Sequence, residues 1–183
     1  MRAELTVPGT GWVWRGDGAN KPKGRGAELG DSHREPYAAV TLMGATHVIN
    51  GQCKELNPAS IPLSQQPEVA ARQVAGIRGV RVETAPTPTQ LSGYPAVHVV
   101  LSVPRLCPHV NDIVLWGLSN QLAGGHNGVA SVTHAGQRMD VWLVDVDGTM
   151  LIVFSELSPG LPSRFRAETQ ALLDSIVLTP VED

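Results

Sequence analysis

The chain has 183 residues, of which 42% are hydrophobic and 17% charged, and its net charge is −3. This length favours one domain with a well-buried core, and the composition excludes a disordered chain. A slightly acidic chain without a run of eighteen apolar residues predicts neither a nucleic-acid partner nor a membrane span.

Residues 1–36 predict an irregular N-terminal arm, because they are rich in Gly, Lys and Asp. Within this arm, Trp12 and Trp14 suggest a short edge strand whose aromatic rings dock on the core, and Lys21–Pro36 predicts an exposed loop. Residues 37–178 form the expected core, and the whole chain is expected to be a single domain.

The next part of the chain predicts a strand and then a helix. Tyr37–Ile49 is mostly apolar and β-favouring, and Asn50-Gly51 predicts the turn that follows it. Ser64 is suited to be the N-cap of a helix, Pro67 is tolerated in a first turn, and Gly76 and Gly79 mark the end. The expected inward-facing residues of this helix are Ala70, Val74 and Ile77.

Two further strands are expected in the middle of the chain. Val80–Thr84 predicts a short strand that Pro86 and Pro88 end, because proline cannot donate to a β ladder. Val97–Val103 predicts a longer strand. Ile113–Leu118 fits either a strand or a helical turn.

The last third of the chain predicts a β-hairpin followed by a helix. Val141–Val146 and Thr149–Phe154 flank Asp147-Gly148, a strong hairpin signal, and both strands are apolar at nearly every position. This predicts burial of both sheet faces, covered by the helix at 66–77 and by a closing helix with Ser163 as its N-cap. The expected inward-facing residues of the closing helix are Phe165, Thr169, Leu172, Leu173 and Ile176. The predicted fold class is α+β, an antiparallel sheet flanked by helices.

The segment Asp145-Val146-Asp147-Gly148-Thr149 matches the DxDGT motif of haloacid-dehalogenase-type phosphotransferases, in which the first aspartate is the nucleophile. That motif follows the first strand of a parallel sheet. Here it lies near the C-terminus and leads directly into a second strand, so too little chain remains to build such a domain. We interpret it as a hairpin turn. An EF-hand calcium site is excluded because the further oxygen ligands are missing.

The two cysteines, Cys53 and Cys107, leave three interpretations open: a disulfide, two buried thiols or a reactive thiol. A bridge would close a loop of about fifty residues and stabilise the fold by roughly 4 kcal/mol. Neither cysteine belongs to a CxxC motif, which argues against zinc. Cys107-Pro108-His109 places a thiol near an imidazole, so a thiol-dependent enzyme is an alternative.

Four histidines, His98, His109, His126 and His134, match no metal-binding spacing, and we expect neither a metal nor a cofactor. His98 alternates with valines, which predicts a half-buried structural side chain. His126 lies in the Gly-rich loop 124–128, a candidate ligand lid.

Three tryptophans in less regular segments, Trp12, Trp14 and Trp116, are candidates to line an apolar ligand groove at the sheet edge. Packing in the core is the alternative for each of them. Trp142, in the hairpin, is expected in the core.

The order of these features resembles the Mog1/PsbP-like α-β-α sandwiches, and most of all the extracytoplasmic domains of actinobacterial lipoproteins and membrane-anchored proteins. The resemblance rests on a Pro-Gly…Trp opening and on a helix that ends in Gly-Ile-Arg-Gly-Val-Arg-Val. It rests also on Gly93-Tyr94-Pro95-Ala96 before a strand and on a closing helix that reads Leu172-Leu173-Asp174-Ser175-Ile176. It covers roughly Tyr37–Leu178. It implies a non-catalytic binding or accessory module, with a cysteine pair placed much like Cys53 and Cys107.

The first functional hypothesis is therefore a non-enzymatic extracytoplasmic binding or sensory module with an unknown small ligand or protein partner. Met1–Trp14 has neither the apolar region nor the cleavage site of a signal peptide, and Met1 need not be the native start. The second hypothesis is a small enzyme that uses Cys107 with His109, or Asp145 with Asp147. The third is a protein–protein adaptor whose open sheet edge accepts a strand.

Overall fold

A computed structural model describes residues 2–7, 11–15, 18–22, 36–50, 59–106, 113–117 and 129–179. Two helices and thirteen strands lie in these ranges. The helices are α1 (Pro67–Ala75) and α2 (Ser163–Asp174). The strands are β1 (Arg2–Glu4), β2 (Val13–Arg15), β3 (Gly18–Pro22), β4 (Tyr37–Met43), β5 (His47–Asn50), β6 (Ala59–Pro62), β7 (Arg81–Leu91), β8 (Tyr94–Val103), β9 (Ile113–Gly117), β10 (Val129–Val132), β11 (Gln137–Val146), β12 (Thr149–Leu157) and β13 (Val177–Thr179).

A seven-stranded sheet with the order β2-β3-β4-β12-β11-β8-β7 forms the centre of the fold. Every neighbouring pair in it is antiparallel. A four-stranded sheet (β10-β9-β5-β6) and the pair β1-β13 complete the described strands. The predicted fold class, α+β with an antiparallel sheet and helices, is confirmed.

The two faces of the central sheet are buried under different elements. One face, here the α1 face, packs on α1 and on the four-stranded sheet, and its residues include Val99, Val141, Ile152, Ala70, Val74 and Trp116. The opposite face, here the α2 face, packs on α2 and on β13, and its residues include Val40, Val144, Val153, Leu172 and Leu178. Helix α1 contacts β7, β8 and β11, whereas α2 contacts β4 and β12. The part of the α2 face that β8 and β11 form therefore keeps partly exposed polar side chains.

The predicted hairpin is confirmed, and it is longer than expected. Strands β11 and β12 pair from Arg138↔Leu157 to Val146↔Thr149. Asp147 and Gly148 both have positive φ, at 52° and 84°, as a two-residue type I′ turn requires. The carboxylate of Asp145 accepts a hydrogen bond from the Gly148 N–H at 2.7 Å. The DxDGT segment is thus a hairpin turn, as we interpreted it.

The closing helix is also confirmed, and all five predicted inward-facing residues are buried. The predicted N-caps are wrong. Ser163 is the first residue of α2, and Pro162 is the N-cap. The N-cap of α1 is Gln66, and Ser64 lies before it with its hydroxyl accepting the Gln66 N–H. Neither N-cap makes a side-chain capping hydrogen bond.

Three other predictions need correction. The arm at 1–36 contains the predicted short edge strand, which is β2, but Lys21 and Pro22 belong to β3 of the central sheet and not to an exposed loop. Tyr37–Ile49 is not one strand: β4 and β5 belong to different sheets, and Gly44 lies between them. Pro86 and Pro88 do not end a strand, since β7 continues through both. They are tolerated because β7 is at the edge of the sheet, where one side of the strand needs no ladder partner.

No helix in the described part of the chain has the length and apolar character needed to cross a membrane.

Candidate functional site

A cleft of about 500 Å³ lies at one end of the α2 face. Its floor is one row of register partners across four strands, Leu157↔Arg138↔Ser102↔Arg81. Its rim is formed by residues at the strand ends and by the first turns of α2, namely Pro104, Gly136, Pro159 and Arg166. Strand pairing therefore places Arg81 of β7 and Arg138 of β11 at one opening, and the packing of α2 adds Arg166.

Positive charge predominates in this cleft. Its lining contains three arginines and one carboxylate, that of Glu83. The Ser102 hydroxyl donates a hydrogen bond to Oε1 of Glu83 at 2.5 Å, so this carboxylate has a fixed partner. Arg81 and Arg166 are exposed, and neither has an ion-pair partner among the described residues. The cleft thus presents two guanidinium groups that form no ion pair with a described residue.

The third guanidinium, that of Arg138, is held in place by Asp140. Nε of Arg138 lies 3.0 Å from Oδ2 of Asp140, and Nη2 lies 3.2 Å from Oδ1. Nε2 of His98 lies 3.3 Å from the same Oδ1. Burial raises the pKa of Asp140, but the contacts with His98 and Arg138 outweigh it, so the net pKa lies below its ordinary value.

The lowered pKa of Asp140 predicts a loss of stability in acid. A carboxylate whose folded pKa lies below its unfolded value of about 3.9 contributes fully above that pH. The contribution is lost as the pH falls through the folded pKa. We expect wild type to exceed Asp140→Asn in free energy of unfolding at pH 7, and the difference to shrink below about pH 4. Urea unfolding of both proteins at pH 7 and at lower pH measures this difference in stability. Adding Arg138→Met and the double variant Arg138→Met/Asp140→Asn completes a double-mutant cycle, which gives the coupling energy between Arg138 and Asp140. A difference that does not change with pH would contradict the ion pair.

His98 of β8 and Trp142 of β11 lie next to Arg138 and Asp140 on the same α2 face of the sheet. Their rings stack with centroids 4.5 Å apart and an interplanar angle of 17°. The side chain of His98 is 25% exposed, which agrees with the half-burial predicted for it. Trp142 is only half-buried, at the border of the α2-face core, whereas the sequence placed it inside the core.

A buried polar network supports the cleft from the α1 face. Nε2 of Gln137 donates to Oη of Tyr37 at 3.1 Å and to Oε1 of Glu156 at 3.0 Å. Its Oε1 accepts the backbone N–H groups of Thr133 and His134 at 3.2 and 3.3 Å. Gln137 thereby fixes the turn that carries Gly136, a residue of the cleft rim. Burial, and next the charge of Glu156, raise the pKa of Tyr37 far above its ordinary value, so its phenol stays neutral.

Ser158 and His134 also belong to this network. Oγ of Ser158 lies 3.5 Å from Nδ1 of His134, an arrangement that invites comparison with a hydrolase pair. Ser158 is 4% exposed, however, and its Oγ already accepts the Tyr37 backbone N–H at 3.1 Å. A serine nucleophile has to reach substrate, and this one holds the end of β4 in place.

The structure does not bring Trp12 and Trp116 of the predicted groove together. Nε1 of Trp12 donates to Glu168 of α2 at 2.9 Å, and the ring borders the α2-face core. Trp116 is fully buried in the core of the α1 face, edge-on to Phe154 with centroids 5.3 Å apart. These two rings therefore lie on opposite sides of the central sheet. Trp14 belongs to β2, and a ligand role for it stays a prediction.

Several predicted site residues lie outside the described part of the chain, namely Cys53, Cys107, His109 and His126. The disulfide and the thiol site therefore stay predictions. Within the described ranges, no group of three His, Cys, Asp or Glu side chains is arranged to hold a metal ion.

Sequence reasoning missed the three arginines of the cleft. Arg81, Arg138 and Arg166 are widely separated in the chain, and no local motif links them. Only strand register and the packing of α2 on β4 and β12 place them together. The alternation of β11 did carry one signal, since Arg138 and Asp140 fall on the same sheet face.

The geometry is thus that of an arginine-lined cleft on the partly open face of an antiparallel sheet. It has the volume of a small-molecule site. No protein-family model matches this chain, and no curated protein matches it.

Proposed function

We propose that the protein is a non-enzymatic, extracytoplasmic binding module that holds a small ligand in the arginine-lined cleft. The observation that carries this proposal is the convergence of Arg81, Arg138 and Arg166 on one opening of about 500 Å³. Ligand sites of this size are typically pre-formed concavities with a few well-placed polar groups. Here the polar groups come from strands and a helix, elements that hold a side chain more rigidly than a loop does.

We further propose that the fold is a Mog1/PsbP-like sandwich. Support for this comes from α1 and α2, which pack on opposite faces of one antiparallel sheet. The extracytoplasmic location is proposed from that resemblance and from the cysteine pair. A count of free thiols on denatured, unreduced protein from an oxidising compartment tests the pair. No free thiol would support a bridge between Cys53 and Cys107, and two free thiols would contradict it.

A protein–protein adaptor is the second candidate, because β7 is an edge strand of eleven residues with most of its side chains exposed. An exposed edge can accept a strand from a partner. Pro86 and Pro88 oppose this, because proline lacks an N–H and is one of the means by which proteins block edge pairing. We therefore prefer the cleft.

A thermal-shift screen with acidic, basic and neutral small molecules tests the binding function. At a ligand concentration of about one hundred times Kd, we expect Tm to rise by about 5–10 °C. The same ligand should give a much smaller rise with Arg81→Ala/Arg166→Ala, and mass spectrometry should recover it unchanged. Stabilisation by no ligand class would contradict the proposal. Conversion of the ligand, abolished by Cys107→Ser, would favour the thiol enzyme instead.

A further inference from the structure

We infer that the arginine-lined cleft selects a small organic anion, whose carboxylate or phosphate groups pair with Arg81 and Arg166. This inference rests on the proposed binding function and adds the chemical class of the ligand. It is argued from three features: the fixed third guanidinium, the charges of the two exposed arginines and the size of the opening.

Arg138 provides donors that are oriented before any ligand arrives. A guanidinium carries five N–H donors, and the contacts with Asp140 engage two of its nitrogens side-on. The remaining donors keep a fixed direction, because the planar group cannot rotate without breaking both contacts. Pre-orientation lowers the entropy cost of binding an oxygen-rich group.

Arg81 and Arg166 determine that the ligand should carry negative charge. They stand on opposite borders of the cleft, on β7 and on α2, and both are exposed. The two nearby carboxylates already have partners: Glu83 accepts from Ser102, and Asp140 pairs with Arg138. Three arginines against Glu83 and Asp140 leave one net positive charge, in a chain whose net charge is −3. An anion gains two guanidinium partners here, whereas a cation is opposed by the net positive charge of the described lining.

The size of the opening favours an organic anion over a free inorganic ion. About 500 Å³ is several times the volume of one phosphate or carboxylate group, and it falls within the range of small-molecule sites. The floor also contains the aliphatic side chain of Leu157, and the rim contains Pro104 and Pro159. These apolar groups give the uncharged body of a ligand something to pack against.

Isothermal titration calorimetry with citrate, a sugar monophosphate and inorganic phosphate tests the inference. We expect an organic anion to bind more tightly than inorganic phosphate, and binding to weaken as the salt concentration rises. Arg81→Ala and Arg166→Ala should each weaken it about tenfold, the loss typical of one charge-assisted contact. Glu83→Gln should tighten it several-fold, because the variant removes the one carboxylate among the described lining residues.

The matched control is Arg72→Ala, which removes an exposed arginine from α1, on the opposite side of the sheet, and should leave affinity unchanged. All four variants alter exposed side chains, and their melting curves check that they fold. The anion inference would be overturned if a neutral or basic molecule bound and its affinity did not change in Arg81→Ala, Arg166→Ala and Glu83→Gln. The proposed binding function would still stand in that case. An equal loss in Arg72→Ala would show nonspecific charge attraction and overturn the site. Absence of binding by every ligand class would overturn both proposals.

Discussion

Replacing Gln137 with alanine should lower the free energy of unfolding by about 3–5 kcal/mol. The side chain is fully buried and makes four hydrogen bonds. Its removal leaves the N–H groups of Thr133 and His134 without this acceptor, and it removes one partner from Tyr37 and one from Glu156. Buried polar groups without partners cost far more than a hydrogen bond contributes on average.

Urea unfolding measures this loss, with Gln90→Ala as the matched control. Gln90 is exposed on the edge strand β7, so its truncation should change stability by no more than about 0.5 kcal/mol. Gln137→Glu is the sharper variant. It keeps the shape of the side chain, but it replaces the amide that donates to Glu156 with a second carboxyl group. A Gln137→Ala protein as stable as the Gln90→Ala protein would show that the network does not hold this end of the sheet.

The network also links stability to binding. Gln137 fixes the turn at residues 133–136, and Gly136 belongs to the rim of the cleft. We therefore expect Gln137→Ala to weaken ligand binding although Gln137 lies on the opposite sheet face and touches no ligand.

Replacing Trp116 with alanine should cost about 3–5 kcal/mol, because it empties the largest fully buried side-chain position of the described core. The ring lies between the four-stranded sheet and the central sheet and makes an edge-on contact with Phe154. Trp116→Phe should cost less. It keeps an aromatic ring, and it removes an indole N–H for which the described residues provide no acceptor.

Chemical denaturation measures the free energy of unfolding of Trp116→Ala, with Val82→Ala as the control. The comparison distinguishes a core role of Trp116 from a role in a ligand groove. Val82 is 41% exposed, and its truncation should cost less than about 1 kcal/mol. A groove residue would behave differently: its truncation would reduce binding and leave stability nearly unchanged. That result for Trp116 would contradict its place in the core.

The sequence was sufficient wherever local chemistry determines the conformation. Asp147-Gly148 predicts its turn because both positions need positive φ, and Gly adopts it without strain. The spacing of Phe165, Thr169 and Leu172 predicts the buried side of α2, since residues three or four apart share one helix face. The apolar runs of β11 and β12 predict two covered faces, because either face of such strands would otherwise expose apolar area to water.

The sequence was insufficient wherever the answer depends on a distant partner. From the local sequence, Pro86 and Pro88 predict the end of a strand. Because β7 is an edge strand, the hydrogen bonds that these prolines cannot donate are not needed on its open side. Trp12 and Trp116 look equivalent in sequence, and packing places them on opposite sides of the sheet. The Ser163 hydroxyl could cap a helix N-terminus, but the helix begins one residue earlier than predicted, so that Pro162 is the N-cap.

By itself, then, the sequence determined the hairpin, the closing helix and the α+β class, because each follows from turn chemistry or from the period of apolar residues. Only the tertiary structure decided that Arg81, Arg138 and Arg166 share one cleft. The first two meet through strand register, since β8 lies between β7 and β11 and aligns Arg81, Ser102 and Arg138 in one row. Arg166 joins them through the packing of α2. Register and packing are long-range properties, set by how the whole apolar surface is buried, and no local pattern of residues encodes them.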